Sequence, residues 1–204
     1  MYIMRRMAHV AGLAGIDHAA KATNVVQDAG VPVSLWVGGV GSVPGTVAWS
    51  VVVDSFAQWA EYTERLTADA AYNNIANEGR ELIESFEPDE LMQVVHGEID
   101  RPSEVGEYLG SIEAVVNPER SAEAAAFAPE VANAWSDVTG QRVVVVTNAA
   151  GTMDTITWIS RHETAATIDE ANAKVAASSD YAEVLAKGAG LFTSGTQMYA
   201  RRMA

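Results

Sequence analysis

The chain has no cysteine, only three lysines (Lys21, Lys174 and Lys187), and no two histidines spaced to share a metal ion. The first absence excludes disulfides, thiolate metal sites and a cysteine nucleophile, so stability has to come from packing. Hydrophobic residues make up 49% of the 204, ample material for a core. Basic residues are scarce, 13 against 27 acidic ones, for a formal charge of −14. Such a surface repels nucleic acid and anionic membrane, and neither is expected as a partner. The histidines, His9, His18, His96 and His162, form no H-E-x-x-H pattern, so no metal and no other cofactor is expected.

No apolar run of signal-peptide length precedes Asp17 and His18, and a cytoplasmic location is the expectation. One stretch, Ala29 to Val53, carries no charge, but Pro32, Pro44 and five glycines interrupt it. With Val, Trp and Thr dominating the rest, it reads as two strands joined by a turn rather than a membrane helix. The turn, Gly38 to Gly45, is followed by a strand at Thr46, whereas a phosphate cradle needs a helix start at that point.

Laying residue n against n+109 aligns Thr46 to Ser85 with Thr155 to Ser194 without a gap. Thr46 meets Thr155, Trp49 meets Trp158, Tyr72 meets Tyr181, Gly79 meets Gly188 and Leu82 meets Leu191. Apolar character survives where identity is lost, as at Trp59 and Ile168 or Ile83 and Phe192. Each copy reads strand, helix, strand, strand, long helix, strand. In the first copy these span 2–10, 17–28, 31–37, 46–53, 55–85 and 91–99; in the second, 108–116, 122–138, 142–147, 155–161, 164–192 and 197–202. Both long helices are expected to break, at Thr67 to Asp69 and at Ser178 to Asp180, where a Ser or Asp side chain can cap a new start. Arg101-Pro102-Ser103 separates a first α+β repeat, 1–101, from a second, 102–204.

Trp158-Ile159-Ser160 ahead of a helix, Ser178-Ser179-Asp180-Tyr181, Lys187-Gly188 and Leu191-Phe192 are matched in the first copy by Trp49-Ser50, Asp69, Tyr72, Gly79 and Leu82. With these residues, two ferredoxin-like βαββαβ units with long second helices resemble the dimeric α+β barrel superfamily in single-chain tandem form. The resemblance implies an α+β fold in which the two repeats close on each other as a barrel. It also implies a range of activities, among them cofactor-free monooxygenases, haem-degrading enzymes, isomerases, and dehalogenating and decarboxylating enzymes. Phe56-Ala57-Gln58-Trp59 is similar to the F-x-x-W helix opening of the haem-degrading branch. The axial histidine of that branch is missing here, since none occurs between His18 and His96, and haem is not expected.

Two functions stay open. In the first, the protein binds a small apolar or aromatic molecule and acts on it as a cofactor-free monooxygenase-like enzyme. Trp49 and Trp158 then flank a central cavity and stack on the ligand. On the strand face that carries them, Val51 and Val53 of the first copy are exchanged for Ser160 and His162 in the second. That polar exchange predicts a ligand in the second repeat, with the first more tightly filled. His162 is the candidate general base, because histidine titrates near neutrality, and Asn117 and Asn148 are candidates to orient a carbonyl or oxyanion. In the second function the barrel is filled with side chains and the protein is a non-enzymatic structural or assembly unit. Association into a homo-oligomer is compatible with both.

Overall fold

Runs rich in β-branched residues become strands, and Ala-rich amphipathic runs become helices. In the computed structural model, which describes residues 1–204, the first half contains β1 (Tyr2–Val10), α1 (Gly12–Asp28), β2 (Ser34–Gly38), β3 (Thr46–Val53), α2 (Phe56–Ala68), α3 (Ala70–Glu78), β4 (Ile83–Phe86) and β5 (Glu90–His96). The second half contains β6 (Tyr108–Val116), a short 3₁₀ turn, α4 (Ser121–Thr139), β7 (Val143–Ala150), β8 (Thr155–His162), α5 (Ala165–Ala177), α6 (Ser179–Lys187) and β9 (Phe192–Arg202). Three pairs of elements, β3 and β8, α2 and α5, and α3 and α6, begin and end at positions 109 apart.

Both long helices break where capping residues occur. Asp69 Oδ1 accepts the backbone N–H of Tyr72 at 2.8 Å, and Ser178 Oγ accepts that of Tyr181 at 3.1 Å. The helices then stop at Glu78 and Lys187, short of the expected ends at 85 and 192, because the chain must turn back into the sheet there. Gly79 and Gly188 permit the turn. A Cβ at Gly79 would collide with the His18 imidazole, and one at Gly188 with the Phe127 ring.

Nine antiparallel strands form one sheet in the order β3-β2-β9-β6-β8-β7-β5-β1-β4, and β1 also pairs with β3. That last pairing closes the sheet into a barrel and leaves β4 as a short branch beside β1. The halves meet at two seams, β2 with β9 and β5 with β7.

All helices lie outside the barrel, so alternate residues of each strand face a helix or the lumen. The lumen is filled. Ile3, Met92, Val144 and Val146 pack into one cluster, and Trp36, Ala48 and Ala200 into another, with no helix residue in either. Between them Arg5 of β1 binds Glu90 of β5 through Nε and Nη2, and reaches Glu113 of β6 at 3.1 Å. Burial works against the Arg5 charge, but the two carboxylates outweigh it and hold the guanidinium above its ordinary pKa. Arg6, on the opposite face, makes a two-pronged pair with Asp89 at 2.8 and 2.6 Å outside the barrel.

Candidate functional site

Trp49 and Trp158 do not share a central cavity. Both lie on the helix-facing side of their strands, Trp49 toward α1 and Trp158 in the core against α4. The Trp49 Nε1–H donates to Thr23 Oγ1 at 3.0 Å, and the Trp158 Nε1–H donates to the Ala128 carbonyl at 2.9 Å. Each half therefore has its own space between sheet and helices, and the two spaces differ greatly in size.

In the first half that space is a cavity of about 450 Å³ between the sheet and α1, α2 and α3. Its walls are largely apolar, with Val31, Val51 and Leu66 among them, and four aromatic side chains line it: Trp49, Trp59, Tyr72 and Phe86. Arg6 and Arg80 also line it, and the Arg6 guanidinium lies 6.0 Å above the Phe86 ring. His18 of α1 lines the cavity, with Nε2 3.1 Å from the Ile75 carbonyl oxygen. A carbonyl only accepts, so Nε2 carries the proton in that contact and Nδ1 is left as the basic nitrogen of the neutral ring.

In the second half the corresponding space is about 30 Å³, room for little more than a water molecule. Aromatic side chains fill the rest. Trp135 meets Tyr181 edge-on at 5.9 Å and Trp158 meets Phe192 edge-on at 5.6 Å, with Phe127 tilted against Phe192 at 6.3 Å. The expectation that the first repeat is the more tightly filled is thus reversed, and beside Trp158 there is little room for a ligand. The physical reason lies in the first helix of each half. At the 109-residue offset Phe127, Val131 and Trp135 of α4 correspond to His18, Ala22 and Val26 of α1, each smaller than its counterpart.

The structure does not bring the six sequence-derived site residues together. Trp49 lines the large cavity, while Trp158 and Ser160 line the small one. His162 is 1% exposed and lines neither; its Nε2 is 2.9 Å from Ser160 Oγ, and burial lowers its pKa below the ordinary histidine value. Asn117 caps the 3₁₀ turn, accepting from the Glu119 N–H at 3.2 Å and donating to the Gly190 carbonyl at 3.2 Å. Asn148 ties the β7–β8 hairpin to Glu90, donating to the Thr152 carbonyl at 2.6 Å and to Glu90 Oε1 at 3.1 Å. His18, Trp59 and Tyr72, which sequence reasoning passed over as site residues, are the ones that meet around one space.

No three His, Asp or Glu side chains cluster as a metal site would require. Haem fits the large cavity poorly, because α2 carries no histidine and His18 spends Nε2, its outer ring nitrogen, on the Ile75 carbonyl.

No protein-family model and no curated protein sequence matches the chain. Solved structures do. One is a protein named "putative monooxygenase" from Fusobacterium nucleatum, at 9% identity and a TM-score of 0.76 over 100% of this chain and 92% of that one. A second with the same name, from Lactobacillus acidophilus, has 12% identity and a TM-score of 0.68 over 98% and 93%. A third, an anthrone oxidase-like protein, has 12% identity and a TM-score of 0.70 over 100% and 91%. The chain shares their fold, an α+β barrel. In this single-chain barrel each half contributes its own helix-covered face, and only the first of the two is hollow. No helix is long and apolar enough to cross a membrane.

Proposed function

We propose that the protein binds a small, largely apolar molecule in the cavity of the first half and oxygenates it as a monooxygenase-like enzyme. The observation that carries this reading is the 450 Å³ cavity itself, largely apolar, with one histidine on its wall. That volume falls within the range of small-molecule sites. A space left empty there forgoes packing that the other half makes, so its presence needs a reason. His18 is the candidate general base: its tautomer leaves Nδ1 free to take a proton from a weakly acidic C–H or O–H of the substrate. The co-reactant is dioxygen. In the simplest balanced form an activated methylene becomes a carbonyl, one oxygen atom entering the product and the other leaving as water, with all the electrons drawn from the substrate. Arg80, which also lines the cavity, supplies positive charge where an enolate or phenolate oxygen would develop, whereas the Arg6 charge is already met by Asp89.

The likeness to the two proteins named as monooxygenases and to the anthrone oxidase-like protein supports this reading at the level of fold. Anthrone is accordingly the first substrate to try. The expected result is uptake of one dioxygen per ketone formed, with His18→Ala lowering kcat by about 10²-fold or more. Turnover unchanged in His18→Ala would remove the base assignment. Absence of any anthrone-dependent oxygen uptake, together with no binding, would leave the second function, a non-enzymatic unit, which the filled lumen favours.

We further propose that 1–101 and 102–204 are two copies of one unit, supported by the elements whose bounds fall 109 residues apart. A soluble, cytoplasmic protein is the corresponding proposal for location.

A further inference from the structure

The two halves differ inside the same architecture, and the difference describes the ligand. The 109-residue offset holds in space as well as in sequence: Gly79 abuts His18 as Gly188 abuts Phe127, and Tyr72 and Tyr181 follow equivalent helix caps. Position 26 therefore stands where position 135 stands in the other half. There the Trp135 indole, 9% exposed, lies edge-on to Tyr181 and plugs the space between sheet and helices. In the first half the plug is gone, because Val26 and Ala22 replace Trp135 and Val131. The aromatic wall is not gone. Trp49 and Tyr72 are kept, and Trp59 adds a ring where the second half has Ile168.

We propose that the second half carries the same site stoppered by its own Trp135, and that the open site of the first half takes a flat aromatic molecule of two or more fused rings in the place of that indole. This inference rests on the reading of the first-half cavity as a ligand site. A flat ring there gains the edge-to-face contact with Tyr72 that Trp135 makes with Tyr181, which a saturated ligand of equal area does not. The exchange of Phe127 for His18 adds one hydrogen-bonding point to a largely apolar wall, matching a ring hydroxyl or ring N–H. Positions 22 and 26 then set how large a ligand enters, and each chain has one working site.

Calorimetric titration of the full chain with indole, 2-naphthol and n-octanol tests this. Wild type is expected to bind one 2-naphthol and one indole per chain, each at least about tenfold more tightly than n-octanol. Val26→Trp installs the plug, so it should keep the fold and lose at least about tenfold in affinity for both aromatics. Trp135→Val should raise the stoichiometry to two; if that variant does not fold, Trp135→Leu, which keeps more of the packing, makes the same test, and Val26→Trp and Ala22→Val decide the first-half site. Binding of neither aromatics nor octanol sinks the ligand-site reading itself. Equal binding of all three, blocked by Val26→Trp, leaves the site and overturns the aromatic class. Aromatic binding untouched by both Val26→Trp and Ala22→Val overturns the placement, and a stoichiometry of one in folded Trp135→Val overturns the stoppered second site.

Discussion

The first half of the barrel keeps an open space beneath its helices and the second half closes it, although both build that region from the same order of elements. The fourth strand shows the same contrast. In the second half β9 runs unbroken for 11 residues along β6, whereas the first half splits the equivalent stretch into β4 and β5 around Glu87-Pro88-Asp89. Proline has no N–H for a ladder and favours such an interruption. The short β4 holds β1 at only three residues and forms one wall of the cavity. One half has invested its aromatic side chains in packing; the other has moved them to the walls and left a gap.

The sharpest way to break this comparison is to truncate the two corresponding helix residues. Trp135→Ala removes a buried ring that touches Tyr181, and should cost about 3–5 kcal/mol in urea unfolding. Val26→Ala, at the edge of an existing cavity, should cost about 1 kcal/mol or less, because little packing is lost. Similar losses at both positions would show that the halves are packed alike after all. The lumen, shared by both halves, should respond as strongly as the plug. Arg5→Leu strands Glu90 and Glu113 without their cation in a filled interior and should cost about 3–5 kcal/mol. Arg6→Leu breaks the half-exposed outer pair with Asp89 and the contact with the Phe86 ring, and should cost about 1 kcal/mol.

A polar exchange separates the halves on the helix-facing side of β3 and β8, and it should be visible as pH dependence. His162 is buried with its pKa held below the ordinary value of about 6.5. The fold therefore favours the neutral ring, and its stability is full above about pH 6.5 and falls as pH drops through the folded pKa. Replacing Ser160 and His162 together by valine, the residues of the first half, should flatten stability between pH 7.5 and pH 5 at this site. If wild type and the double variant lose stability in parallel over that window, carboxylates account for the acid sensitivity and His162 does not.

The succession of strands and helices and the helix breaks were legible from the period of two, the capping residues and the 109-residue offset, and the closed barrel from the resemblance those residues carry; β4, which begins inside a stretch that reads as helix, was not. Which face of the barrel strands would be hollow was not. In β3 the residues Val47, Trp49, Val51 and Val53 face helices, yet Ala48 and Val52 on the other face are apolar too, so alternation alone does not separate a filled lumen from a helix-covered space. The six candidate residues do not meet around one space for a related reason. Ser160 and His162 are conspicuous as polar residues inside a strand, but Ser160 Oγ and His162 Nε2 meet each other at 2.9 Å in a packed core, where His162 Nδ1 has no partner. A cavity made by loss of volume, Trp135 to Val26 and Val131 to Ala22, exchanges one apolar residue for another, and its single polar trace is His18 in place of Phe127. Its trace is readable once α1 and α4 are laid side by side at the same offset.

The smallest expected effects concern the two helix caps, and they show whether the hollow half uses its walls. Asp69 and Ser178 make the same bond, from a side-chain oxygen to the N–H three residues on. Alanine at either position should cost about 1 kcal/mol of stability, a little more for Asp69, whose charge also favours a helix N-terminus. The consequences then part. Tyr181 is buried against Trp135, so a loosened α6 should register in stability alone. Tyr72 is a half-buried wall of the cavity, and α3 has no buried residue to anchor it otherwise. Asp69→Ala should therefore also weaken 2-naphthol binding by about two- to fivefold, whereas Ser178→Ala should leave it unchanged. Equal affinities in the two variants would mean that Tyr72 is not a ligand wall, and the contrast between the halves would then be one of packing alone.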